Sequence, residues 1–147
     1  MNDEILKLEN QLCFPLYVAA KEVINQYKPF LADIDLTYTQ YIAMMVLWTN
    51  KAISVKDLGI SLHLDSGTLT PLLKRLESKG YVNRTRSEED ERVVVIHITK
   101  EGELLKERAV EIPEKIVNCL QLSSEDAKLL YKLLYKLIGS MDCKDPA

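Results

Sequence analysis

Apolar residues recur three and four positions apart through the first part of the chain, at Ile5, Leu8, Leu12, Leu16, Ala19, Ala20, Val23 and Tyr27. That spacing places them on one face of a helix. Pro15 interrupts the stripe. A proline has no amide hydrogen, so it kinks an interior helix but is tolerated in a first turn. Two readings follow: a helix that begins near Leu12, or a longer one that bends beside Cys13. "DIDLTYTQYIAMMVLW" predicts a second helix, capped by Thr37 or Thr39, with Tyr41, Met44, Met45 and Trp48 sharing a face. "ISVKDLGISL" predicts a short helix with Ser54 as cap. "LDSGTLTPLLKRLESKG" predicts another, capped by Asp65 or Ser66, with Pro71 in or near its first turn and Gly80 as its stop. Its inward positions are Leu69, Leu72, Leu73 and Leu76.

The period then changes. "YVNRTR" and "RVVVIHIT" are β-branched runs separated by the polar "SEEDE", which predicts a hairpin with a charged tip. Thr99 is placed to cap a helix from about Lys100 to Leu120, kinked at Pro113. Ser123 and Asp126 cap a terminal helix carrying Leu129, Leu130, Leu133, Leu134, Leu137 and Ile138. So broad an apolar face on a last helix predicts a partner chain. The expected fold is mainly α with a small β-hairpin wing: a winged helix-turn-helix within one domain over residues 1–147.

The chain has 147 residues and is 47% hydrophobic, enough to bury a core. It has no repeat and no apolar run long enough for a membrane span. Its start, "MNDEILKLEN", lacks the basic and apolar regions of a signal peptide, so the cytoplasm is the expected location. Net charge is −3, unevenly distributed: Lys51 to Arg86 carries +4 and the remainder −7. A basic middle between acidic flanks points to nucleic acid. Ser66, Thr68 and Thr70 at the start of the second helix of the pair suit base edges or phosphates in a major groove. Lys74, Arg75, Arg84 and Arg86 suit phosphates. Arg92 at the wing tip suits a minor groove. Asp90 is placed to pair with an arginine and support the wing, while Glu88, Glu89 and Glu91 point outward.

Three cysteines, Cys13, Cys119 and Cys143, are widely spaced and form neither a disulfide framework nor a zinc motif. His63 and His97 lie far apart and make no metal pair, and neither a metal nor a cofactor is expected. Cys13 reads on its own as a packed thiol or as a reactive one.

"LDSGTLTPLLKRLESKGYVNRTRSEEDERVVVIHIT" resembles the recognition helix and wing of MarR-type winged-helix repressors, and "DER" at 90–92 resembles their Asp-x-Arg wing element. "QLCFPLY", "QYKPFL" and "LTYTQY" resemble the organic-hydroperoxide-sensing, OhrR-like subgroup. Pro15 departs from that pattern. The resemblance implies a homodimer through N- and C-terminal helices (residues 1–36 and 100–141), with residues 37–99 binding a pseudo-palindromic double-stranded DNA operator. It also implies that Cys13 is the peroxide sensor, contacted by Tyr27 and Tyr38 of the facing subunit, with Cys119 in the region of a resolving cysteine. The function implied is a repressor that releases its operator when Cys13 is oxidised by organic hydroperoxide, with or without an intersubunit Cys13–Cys119 disulfide. Three other readings remain open. One is a winged-helix repressor answering to a small aromatic ligand near Tyr17, Tyr27, Tyr38 and Trp48, with Cys13 inert. Another is a thiol peroxidase, for which no Thr-x-x-Cys element is found. The last is an assembly protein using its leucine-rich final helix.

Overall fold

The computed structural model describes residues 3–141, so Cys143 lies outside the described residues. The chain divides into two compact units, with the boundary after Ile112.

The first unit opens with two short 3-10 turns, Asp3–Leu6 and Leu8–Asn10. The first α-helix begins only at Cys13: α1 runs Cys13–Ala32. Pro15 is its third residue, where the missing amide hydrogen would have had no partner inside the helix. The stripe from Ile5 is therefore not one helix, and the bend beside Cys13 does not occur. At its other end α1 continues past Tyr27, through Pro29, to bury Leu31.

Helix α2, Tyr38–Asn50, is capped by Thr37, whose hydroxyl accepts from the Gln40 amide while the Gln40 side chain accepts from the Thr37 amide. Tyr41, Met44 and Trp48 are buried, but Met45, one residue and 100° further round, is exposed. A short strand that the sequence pattern did not predict, β1 (Ala52–Ser54), precedes α3 (Val55–Leu62), and Ser54 caps α3 as expected. Helix α4, Ser66–Ser78, is capped by Asp65. Pro71 is its sixth residue, beyond the first turn.

Gly80 ends α4 at φ +80, where its amide bonds the Glu77 carbonyl (2.9 Å) and the Tyr81 amide bonds the Leu76 carbonyl (3.1 Å). Those two bonds satisfy the last carbonyls of the helix, and the left-handed φ suits glycine. Strands β2 (Val82–Arg86) and β3 (Val94–Ile98) form the hairpin, and β1 adds to β3, giving an antiparallel sheet in the order β1-β3-β2. The register sets Val82 opposite Ile98, Arg84 opposite Ile96 and Ile53 opposite Ile96 on its other side.

The core of this unit is Leu31, Ile34, Leu36, Met44, Leu47 and Leu58 with the four leucines of α4, closed by Val82 and Ile96. Thr99 caps α5, Lys100–Ala109. The Trp48 indole donates to the Gly102 carbonyl at 2.8 Å. A Cβ on Gly102 would stand 2.4 Å from the Tyr81 carbonyl oxygen, so only glycine fits there.

The predicted helix from Lys100 to Leu120 is two helices. It breaks after Ala109, and Pro113 sits in the first turn of α6, Ile112–Leu120. Proline has ended one helix and opened another rather than kinking a continuous one.

In the second unit, α6 leads to α7, Ser124–Ser140, capped by Ser123 through the Asp126 amide. Leu129, Leu130, Leu133, Leu137 and Ile138 on α7 are all exposed in the single chain. Among the described residues, no helix is long and apolar enough to cross a membrane.

Candidate nucleic-acid interface and thiol site

The N-terminal end of α4 presents Ser66, Thr68 and Thr70 to solvent, while Leu69, Leu72, Leu73 and Leu76 fix the opposite face in the core. Asp65 holds this end by accepting the Thr68 amide at 2.7 Å, and the Thr68 hydrogen bonds keep its carboxyl below the usual value of 3.8. Lys74 and Arg75 are exposed on the same helix. The structure thus leaves five of the sequence-predicted DNA residues exposed along one helix.

The wing residues are more constrained than the sequence suggests. Arg84 Nε bonds Glu77 Oε2 at 2.8 Å, tying β2 to α4. Arg86 Nη1 bonds the Glu91 carbonyl at 2.8 Å across the hairpin loop. Asp90 takes the Arg92 amide (3.0 Å) and both Nε and Nη2 of its guanidinium (3.1 and 3.3 Å). This pairing holds the Asp90 carboxyl below 3.8. The arginine that Asp90 pairs with is Arg92, whose side chain is still 90% exposed. Glu88, Glu89 and Glu91 are exposed.

Cys13 is exposed and is the first residue of α1, preceded by Leu12, which makes no side-chain cap bond. The open amides of a helix start favour an anion there. Cys119, in α6, is free and exposed. Tyr27 from α1 and Tyr38, the first residue of α2, meet with ring centroids 4.9 Å apart. Tyr41 completes a trio at 5.9 and 6.4 Å from them, and no sequence reasoning had assigned it more than a core position. Burial raises the pKa of all three phenols above 10.0, reinforced at Tyr27 by its two neighbours and at Tyr41 by Tyr38. At neutral pH the trio is therefore a set of protonated O–H donors.

The aromatic-ligand reading loses one wall here. Trp48 is 8% exposed and held in the core by Tyr41 and Gly102. No group of three or more His, Cys, Asp or Glu among the described residues is placed to hold a metal. Gln40, Lys79, Glu77 and Arg108 were not singled out from the sequence. Only Gln40 had left a signal, as the fourth residue of a Thr-x-x-Gln capping box.

Residues 25–109 match the SarA/Rot transcriptional regulator family. The organic hydroperoxide resistance transcriptional regulator of Bacillus subtilis is 50% identical over 140 residues, 95% of each chain. The regulator SarZ of Staphylococcus aureus is 48% identical over 82% of this chain and 81% of its own. Among solved structures, AbfR of Staphylococcus epidermidis matches with TM-score 0.73 at 32% identity, covering 98% of this chain and 99% of that one. Its overoxidised, DNA-bound form matches at 0.76 and its disulfide form at 0.64. The exposed N-terminus of α4, the braced wing and these likenesses agree: the chain belongs to the MarR-type winged-helix transcriptional regulators, in the OhrR-like subgroup.

Proposed function

We propose that the protein is a homodimeric repressor that binds a pseudo-palindromic operator and releases it when Cys13 is oxidised by an organic hydroperoxide. The observation that carries this reading is the tyrosine trio. Tyr27 and Tyr38 are brought together from two helices, and their phenols carry their protons at neutral pH. In the dimer they stand ready to donate to the Cys13 thiolate of the facing subunit. The B. subtilis relative is named for organic hydroperoxide resistance, and AbfR has been solved in reduced, overoxidised and disulfide forms, which supports the same chemistry here.

In the first step the thiolate attacks the peroxide oxygen. An S–O bond forms, the O–O bond breaks, the alkoxide leaves as alcohol with a proton, and Cys13 becomes a sulfenic acid. In the second, a thiol attacks that sulfur, the S–S bond forms and water leaves. The thiol is that of Cys119 of the partner subunit, or a small cellular thiol. In the third, the tyrosines lose their anionic acceptor and the segments bearing them move. The two α4 helices then no longer match half-sites about one DNA turn apart.

Residues 1–36 and 100–141 form the dimer, covering the exposed leucines of α7. Residues 37–99 bind DNA through Ser66, Thr68, Thr70, Lys74, Arg75 and Arg86. Arg84 serves the wing through Glu77, and Arg92 reaches the minor groove from its place on Asp90.

The test is operator binding before and after one equivalent of organic hydroperoxide, read beside non-reducing gels, for wild type, Cys13→Ser and Cys119→Ser. Wild type releases DNA and Cys13→Ser does not. A crosslinked band that needs both cysteines assigns Cys119 as resolver. Release without the band assigns a one-cysteine sensor. Binding unchanged in all three would return Cys13 to a packing role.

A further inference from the structure

The loop of residues 33–37 joins α1, which carries Tyr27, to α2, which begins at Tyr38. Two cations from other elements hold it. Arg108 of α5 donates to the Asp33 carbonyl. Lys79, the C-terminal cap residue of α4, reaches across and donates to the Asp35 carbonyl, lies 3.4 Å from the Asp35 carboxylate, and donates to Gln40 Oε1 at 3.3 Å. An ammonium has three hydrogens, and here it has three acceptors. Asp35 sits at φ +53, a left-handed position that aspartate tolerates. Gln40, 3% exposed, is the one polar side chain in the buried set among the described residues. Its carboxamide oxygen takes both the Thr37 amide and Lys79.

We infer that Lys79, through Asp35 and Gln40, is the positioning residue that couples the tyrosine pair to the DNA-reading helix. This rests on the redox-switch reading above. The leucine contacts of α4 are non-directional. The ammonium adds charge-assisted hydrogen bonds that tie the end of α4 to the loop between the two tyrosines. A shift of Tyr27 against Tyr38 must carry that loop, and the loop carries Lys79. The alternative role, a phosphate contact, fits poorly. The Lys79 side chain is 27% exposed and already engaged. It also lies at the far end of α4 from Ser66, about 20 Å away at about 1.5 Å per residue.

The experiment compares full-length wild type, Lys79→Met and Lys79→Arg. Three quantities are read: the rate of Cys13 oxidation by cumene hydroperoxide, and the affinity for the protein's own promoter duplex in the reduced and in the oxidised state. Lys79→Met keeps the oxidation rate within about twofold and the reduced affinity within about threefold, while the affinity lost on oxidation shrinks about tenfold, within the usual range of coupling. Lys79→Arg restores most of that loss. An unchanged ratio of reduced to oxidised affinity in Lys79→Met overturns the inference. So does equal weakening of both states with a shallower salt dependence, the mark of a phosphate contact.

Amide exchange in the wild type gives a reading independent of any variant's folding. On oxidation, protection is lost together in residues 33–37 and 79–81; loss in the loop alone overturns the coupling. A wild type that keeps its affinity when oxidised refutes the switch itself, and that outcome is separate from the others.

Discussion

A phenol in contact with other phenols and shielded from water gives up its proton late. Tyr27, Tyr38 and Tyr41 all have pKa values raised above 10.0 by burial. The unfolded chain therefore releases these protons first, and folding stability is intact below pH 10 and falls as pH rises through the folded values. Absorbance titration of the native protein is expected to show three tyrosines ionising after the exposed ones, and phenylalanine at any of the three should remove one late step. Asp65 and Asp90 shift the other way, held low by Thr68 and Arg92. Their contribution is present above pH 3.8 and lost as pH falls through their depressed values, so the α4 cap and the wing pairing hold through mildly acid conditions.

At the scale of elements, helix starts were the most legible features of the sequence, because a cap is a local matter of one hydroxyl or carboxylate and an amide three residues on. Ser54, Thr99 and Ser123 all cap as read, and Thr37 and Asp65 decide the two choices left open. What needed a distant partner was not legible. β1 is three residues without alternation and exists because β3 pairs with it. α1 passes Pro29 because the next turn buries Leu31, an anchor that local rules do not weigh. For the candidate site, the cysteine, the tyrosine pair and the exposed face of α4 could be named in advance. The Arg84–Glu77 pair and the grip of Lys79 on residues 35 and 40 could not, since neither contact follows a sequence period.

Two substitutions test the junction of α4, the wing and α5. Thr99 donates to the Gly80 carbonyl (2.6 Å) and accepts from the Gly102 amide (3.1 Å). Thr99→Val keeps the shape, loses both bonds, and is expected to cost about 1–2 kcal/mol in denaturant unfolding. Gly102→Ala forces a methyl against the Tyr81 backbone and is expected to cost roughly 1–3 kcal/mol or more by the same measurement.

For the molecule as a whole, the single chain leaves too much apolar surface open to be the working form. On α7, Leu133 is 52% exposed among similar neighbours. Leu133→Asp is expected to sediment as a monomer and to bind the full operator about a hundredfold more weakly, because two linked half-site contacts become one. Wild-type stability should rise with protein concentration. The placement of Trp48 has a practical consequence. It is the chain's one tryptophan, with its ring 6.2 Å from Tyr41 and its indole nitrogen bound to α5. Tyr41 is in turn 5.9 and 6.4 Å from Tyr27 and Tyr38, so the tyrosines proposed to respond to peroxide are close enough to pass excitation energy to a single buried emitter. The protein carries its own optical reporter, and the kinetics of its switching can be followed in unlabelled wild-type protein from tryptophan emission alone.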